Sequence, residues 1–265
     1  MENDAVNQLP AADAVKPELS ISGHVATITL RRPQQANRLE PGDLNTIAAH
    51  LDAVNQQTEV LVLRFESTGR YFCSGFDINQ IASAGGSTQA IAFDALVNAV
   101  EDCRPVTIAA IQGGVYGGAT DLALACDFRI GTPNADMFMP AVRLGLHFYQ
   151  RGLQRYVSRL GLDTAKRLFL TAEKIDANEM RACGFLTQLV DSNLLQATVT
   201  ALATRLAGMA PLALLGMKKN LNAIASMRLN LETLQADIAK TANSQDLLEG
   251  AAAWADRRVP VFTGQ

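Results

Sequence analysis

Apolar and polar positions alternate over Leu19–Ser22 and again over Val25–Leu30, on either side of Gly23-His24, and this period of two predicts a β-hairpin. The period then changes. Across Asp43–Gln56, Leu44, Ile47, Ala48 and Leu51 recur at helical spacing, so a helix follows the hairpin. Two short apolar runs, Val60–Phe65 and Val106–Ile111, read as buried strands, and each leads through glycines into a helical stretch. From Leu162 onward the pattern is almost wholly helical, with Asp163, Asp176 and Asp191 as expected N-caps and Pro211 opening one more long helix. An α/β portion ahead of a helical C-terminal region is the expected organisation. No internal repeat stands out, and Ala84-Gly85-Gly86-Ser87 is the one stretch that reads as a low-complexity loop.

Composition narrows the class without changing this outline. With 265 residues and 48% hydrophobic content, the chain can bury a substantial core as one large domain, or as one domain with an appended helical part. Residues 1–18 are polar and read as a flexible tail; lacking an apolar core stretch, they do not form a secretory signal, and a cytoplasmic location is expected. The formal net charge is -3 and no Lys/Arg block interrupts the pattern, so neither nucleic acid nor a membrane surface is an expected partner. Cys73, Cys103, Cys126 and Cys183 show no C-x-x-C spacing and sit among apolar residues; reduced core thiols are expected, and no metal site.

The chemistry is concentrated in Ile108–Asp127, where an apolar run, a glycine-rich turn and then a carboxylate entering an apolar helix follow one another. A turn of this kind aims bare backbone N–H groups at one point, and such donors need no reorganisation when a carbonyl oxygen becomes negative. Asp121 lies three residues beyond Gly118, close enough to move a proton beside them. A second glycine turn, Gly69–Ile78, follows the preceding strand, so the Phe76 and Gly118 N–H groups are the candidate pair of donors. Taken singly, each glycine could do no more than permit a tight turn or close helix packing. Asp121 likewise has a plainer reading, as a carboxylate satisfying a helix start; burial beside Leu122 and Leu124 would raise its pKa toward a range useful for proton transfer. Neither turn carries the Gly-Lys-Ser/Thr ending or the G-x-G-x-x-G spacing of a phosphate cradle, which removes nucleotide hydrolysis and NAD-linked dehydrogenation.

These residues resemble the crotonase superfamily, the enoyl-CoA hydratase/isomerase family, over about residues 19–264. Arg32-Pro33 through Asn37-Arg38-Leu39 is similar to its "RP…NAL" stretch, Cys73–Ile78 to its "SAGAD(I/L)" loop, and Gly117–Arg129 to its "GGG-x-(E/D)-LALACD-x-R" turn and helix. Met139–Leu146 resembles "PEVxLG", Gln154-Arg155 falls where "TQRL" does, and Arg257–Gly264 looks like the "KRxPxFxG" ending. The resemblance implies a spiral of β-β-α turns as a core over residues 19–200, with a helical C-terminal trimerisation region over 201–265. It also implies a homotrimer or dimer of trimers, and a coenzyme A thioester as substrate rather than a separate cofactor. By the same resemblance Arg38, Ser74, Phe76, Asp77 and Ile78 border the nucleotide or pantetheine, with Asp77 also fixing its own loop. Phe262 would cover the adenine, and Lys218, Lys219, Arg257 and Arg258 become candidates for the phosphates.

The departures bear on the reaction. A typical enoyl-CoA hydratase holds its attacking water between two glutamates, and the corresponding positions here read Asp121 and Ala141. Alanine cannot titrate, so standard two-glutamate hydration is not expected. Isomerases that move a lone double bond keep the second of those carboxylates, the one missing here. Dienoyl-CoA isomerases do carry an aspartate where Asp121 stands, but add carboxylates where this chain has Ala141 and Tyr149. The family's "IPGAGG" stretch, which borders the acyl pocket, is replaced by His147–Gly152, whose His147, Tyr149, Gln150 or Arg151 would supply a second acid/base, bind a polar acyl substituent, or simply pack and be solvated. The expected activity is thioester enolate formation, with Asp121 as the single carboxylate and Tyr149 and His147 as candidate helpers. The alternative is a catalytically weak member that binds acyl-CoA or a protein partner.

Overall fold

The computed structural model describes residues 15–77 and 87–265. Strands β1 (Glu18–Ser22) and β2 (Val25–Leu30) close the expected hairpin, antiparallel, with Ser22 opposite Val25 across the tight turn. β3 (Val62–Ser67) pairs in parallel with β2, β4 (Val106–Ile111) with β3, β6 (Phe128–Gly131) with β4, and β9 (Gln188–Leu189) with β6, which gives the sheet order β1-β2-β3-β4-β6-β9. A smaller sheet joins β5 (Val115–Tyr116) in parallel to β7 (Asp136–Phe138), and β7 antiparallel to β8 (Ile175–Asp176). The helices are α1 (Pro41–Gln56), α2 (Ser87–Asp102), α3 (Gly118–Ala125), α4 (Gln150–Leu160), α5 (Leu162–Thr171), α6 (Ala177–Ala182), α7 (Leu195–Ala207), α8 (Pro211–Ala225), α9 (Leu231–Ala242) and α10 (Gln245–Asp256).

Parallel strands buried on both faces read as unbroken apolar runs, and β4 shows why. Its alternate residues Val106, Ile108 and Ala110 join Leu195, Val199, Leu202 and Leu206 of α7 in one apolar layer. Ala109 and Ile111 point the other way, into the larger core with Phe65, Leu122, Tyr156 and Phe169. α3 therefore sits inside the molecule, with every residue from Ala119 to Ala125 buried. A polar side chain on it must find its partners within the protein. The domain boundary expected after residue 200 falls within α7, the helix that covers the sheet.

Several local expectations are corrected. The strand expected from Val60 begins at Val62, and the helix expected from Asp43 begins at Pro41, because Glu40 and Asp43 form a reciprocal capping box. Asp176 does cap α6, accepting from the Glu179 N–H at 2.9 Å. Asp163 lies instead in the first turn of α5, where Gly161 takes the cap position. Asp191 precedes a short 3-10 turn without capping it through its side chain. The short strands β8 and β9 fall within the region expected to be almost wholly helical. Ile78 and Ala84–Gly86 lie outside the described residues. The four cysteines are free thiols, Cys183 half-buried and the others buried.

Candidate active site

The loop after β3 is stitched to its surroundings by main-chain bonds. Ser74 N–H donates to the Ala36 carbonyl (2.9 Å), Leu39 N–H to Gly75 (2.8 Å) and Asp77 N–H to Leu39 (3.1 Å). Buried Asn37 anchors the loop's start, its side-chain amide donating to the carbonyls of Thr68 and Tyr71, both at 2.8 Å. This is a one-residue parallel bridge in which Leu39 uses both its groups on the neighbours of Phe76. The Phe76 N–H is consequently turned away from that bridge, and it donates to no carbonyl among the described residues. Gly118 begins α3, where the first N–H groups have no intrahelical acceptor, and its own N–H is likewise without a protein partner among the described residues.

Only glycine lets the two loops meet. Gly75 has φ +94°, and a Cβ there would stand 2.7 Å from the Tyr116 carbonyl oxygen and 3.2 Å from the Gly118 nitrogen. At Gly118 a Cβ would stand 2.6 Å from the Phe93 ring.

Asp121, in the first turn of α3, is wholly buried. Its Oδ2 accepts from the Tyr149 hydroxyl (2.5 Å) and from Arg155 Nη1 (2.6 Å), while Oδ1 has no partner among the described residues. Arg155 is buried too. It binds Glu101 through Nε to Oε1 (2.9 Å) and Nη2 to Oε2 (3.2 Å), and Asn98 Oδ1 through Nη2 (3.1 Å). One turn before it on α4, Arg151 holds Glu101 (2.6 Å) and Asp102 (2.8 Å); one turn after it, Arg159 lies 3.7 Å from Glu101. Three arginines at four-residue spacing thus share one face of α4, opposite the carboxylates of α2 and α3.

Burial pushes the Asp121 carboxyl above the ordinary aspartate range, against the pull of the Arg155 guanidinium and the Tyr149 hydroxyl. Glu101 also feels burial, but Arg155, Arg151 and Arg159 outweigh it and hold Glu101 below the usual range. Tyr149 is raised well above an ordinary phenol by burial and by Asp121, so it serves as a hydrogen-bond donor at neutral pH. Ala141 is buried in a short 3-10 turn and brings no acid.

His147 is not drawn into this group. Its ring is exposed with Nδ1 against the Phe148 carbonyl (2.8 Å), and Phe148 takes the inward place, packed against Tyr149, Tyr156 and Phe169. Arg151 belongs to the ion-pair ladder rather than to a solvated wall. Arg38 pairs with Asp77 (3.5 Å), next to half-buried Ser74. Phe262 lines a cleft bounded by α8 and α9 that includes none of Arg38, Ser74, Phe76 or Asp77. Of the phosphate candidates, Lys218 is buried against Asp127 (2.8 Å), Lys219 pairs with Asp237 (2.6 Å) and Arg258 with Glu249 (2.6 Å); Arg257 is exposed. Glu101 escaped the sequence reading, and Arg155 entered it only as part of a motif match with no role assigned, although the spacing of Arg151, Arg155 and Arg159 was a visible signal.

The profile of the enoyl-CoA hydratase/isomerase family matches residues 20–265. The chain belongs to this family, within the crotonase superfamily. Among relatives, it is 30% identical to the peroxisomal Delta(3,5)-Delta(2,4)-dienoyl-CoA isomerase of Arabidopsis thaliana, over 89% of this chain and 91% of that one. It is 28% identical to the 2,3-dehydroadipyl-CoA hydratase of Escherichia coli (strain K12), over 91% and 96% respectively. The enoyl-CoA hydratase of Bacillus anthracis superimposes with a TM-score of 0.87 at 26% identity, covering 94% of this chain and all of that one. Both hydratases and isomerases thus stand among the relatives of this crotonase-superfamily protein, and it is an acyl-CoA enzyme of the lyase or isomerase class.

Proposed function

We propose that this family member forms the enolate of an acyl-CoA thioester, with Asp121 as its single carboxylate acid/base and the Phe76 and Gly118 N–H groups receiving the thioester oxygen. Asp121 takes the proton from Cα, the electron pair moves onto that oxygen, and the proton is returned at the same or another carbon. The observation that carries this reading is Oδ1 of buried Asp121, without a partner among the described residues, three residues into the helix that starts at Gly118. Ala141 leaves no second carboxylate to grip a water, which favours isomerase, lyase or decarboxylase chemistry over two-carboxylate hydration. The coenzyme A moiety would lie along Arg38, Ser74, Phe76, Asp77 and Ile78; Phe262, which lines a separate cleft of the chain, is left out of this reading. Exposed Met217, Leu221, Leu231, Leu248 and Trp254 on α8 to α10 support burial of that face in a homotrimer or dimer of trimers, to be checked by light scattering. Among the described residues no single helix is long and apolar enough to cross a membrane.

The test is a panel of acyl-CoA esters in deuterated buffer, followed by mass spectrometry. Net mass change or deuterium uptake at Cα is expected, and exchange without net reaction already establishes enolate formation. A second reading, acyl-CoA binding without turnover, draws support from the Asp121–Arg155 pair, since a carboxylate neutralised by a buried cation is also a plain structural element. Tight binding across the panel with no exchange would favour it.

A further inference from the structure

We infer that Arg155, gripped by Glu101 and Asn98, is a positioning residue that holds Asp121 by Oδ2 and so assigns Oδ1 as the oxygen that exchanges the proton with substrate. The inference rests on the enolate reading above and specifies which atom acts and what aims it. All of the described bonds of the Arg155 guanidinium run to side chains: Nη1 to Asp121, Nε and Nη2 to the two oxygens of Glu101, and Nη2 also to Asn98. A planar fork with bonds on three nitrogens has its orientation fixed, which a lysine ammonium cannot reproduce. Tyr149 adds a second donor to the same oxygen of Asp121. With Oδ2 occupied twice, the carboxylate cannot rotate to offer it elsewhere. Oδ1 is left without a partner among the described residues, one of six buried side-chain polar atoms so left, and it belongs to a wholly buried carboxyl, where an unmet acceptor calls for an explanation.

The titratable and charged groups around Asp121 are Arg155 and Tyr156 of α4, Tyr149 at its start and Glu101 of α2. Arg155 favours the anion and Glu101 opposes it, so removing each must move Asp121 in opposite directions. The experiment is a 13C titration of the Asp121 carboxyl in the full-length protein without substrate, the signal identified by its loss in Asp121→Asn. Arg155→Gln is expected to raise the Asp121 pKa by about one unit or more. Glu101→Gln, which keeps the shape of its side chain, is expected to lower it. Arg155→Lys should hold the pKa close to the parent value yet lower kcat for Cα exchange on hexanoyl-CoA, with KM changed less than threefold, because charge is kept and aim is lost.

An unmoved Asp121 titration in Arg155→Gln overturns the proposal. If that variant does not fold, the absence of a downward shift in Glu101→Gln overturns it instead. A parent-like kcat in Arg155→Lys sinks the positioning role. Because the titration needs no substrate, its outcome stands apart from whether Asp121→Asn abolishes turnover, which tests the enolate reading itself.

Discussion

The two sides of the candidate site are built from different materials. On one side, Gly69–Asp77 and Gly113–Gly118 present main-chain N–H groups, held by backbone hydrogen bonds and by contacts too close for any Cβ. On the other, Arg151, Arg155 and Arg159 lock Glu101, Asp102 and Asp121 through charged side chains drawn from α2, α3 and α4. If the proposed enolate forms there, the backbone side would receive its charge without moving. The charged side is buried, and its members depend on one another, since taking one partner from a buried pair strands the rest. The first side should respond to added bulk, the second to lost charge.

That contrast can be broken in order of expected effect. Asp121→Asn keeps shape and loses the titratable proton: turnover on any working acyl-CoA should fall by about 10²–10⁴-fold, with CoA-ester binding within a few-fold by calorimetry. Undiminished turnover would move the chemistry to another residue. Gly118→Ala pushes a methyl into the Phe93 ring and shifts the first turn of α3, and a loss of about 10²–10³-fold in kcat is expected if its N–H is an oxyanion donor.

On the charged side, Glu101→Gln should cost about 1–3 kcal/mol at pH 7 in urea unfolding, less than a fully stranded pair because the amide retains hydrogen bonds. Its signature is the pH dependence. Glu101 is held below the ordinary glutamate range, so its stabilisation is complete above that range and is lost as pH falls through the lowered folded value. Melting temperatures measured downward from pH 6 should therefore drop more steeply in the parent than in the variant; parallel curves would mean that Glu101 is not held by the arginines. Tyr149→Phe removes one donor to the Asp121 carboxyl and should cost about 1–2 kcal/mol of stability. His147→Ala, at an exposed ring, should change stability by no more than about 0.5 kcal/mol and leave turnover alone.

The backbone side was legible in the sequence because glycines mark it. Gly75, Gly117 and Gly118 stand where the chain needs a positive φ or a close approach, and Val106–Ile111 appears as a strand over the very residues its apolar run suggests. Asp121 was legible for a related reason, as a carboxylate in an apolar helix just beyond such a turn. The charged side was hidden because no local pattern links Glu101 to Asp121 or Arg155; their meeting depends on how α2, α3 and α4 cross. Tyr149 and His147 both stood as candidate helpers in the sequence, and the bond of Tyr149 to Asp121, with Phe148 packed inward against Tyr156 and Phe169, separates them. β8 and β9 were missed since two residues cannot display an alternation.

The arginine ladder also dictates how α4 can seat. A turn of the helix about its axis by one residue would carry all three guanidinium groups off their acceptors together, so α4 has a single docking azimuth, set from within. The segment leading into it, where Val142, Arg143, Leu144 and His147 are exposed, is thereby released from aiming Arg155. Substitutions confined to those exposed side chains should therefore leave the Arg155–Asp121 contact of 2.6 Å in place.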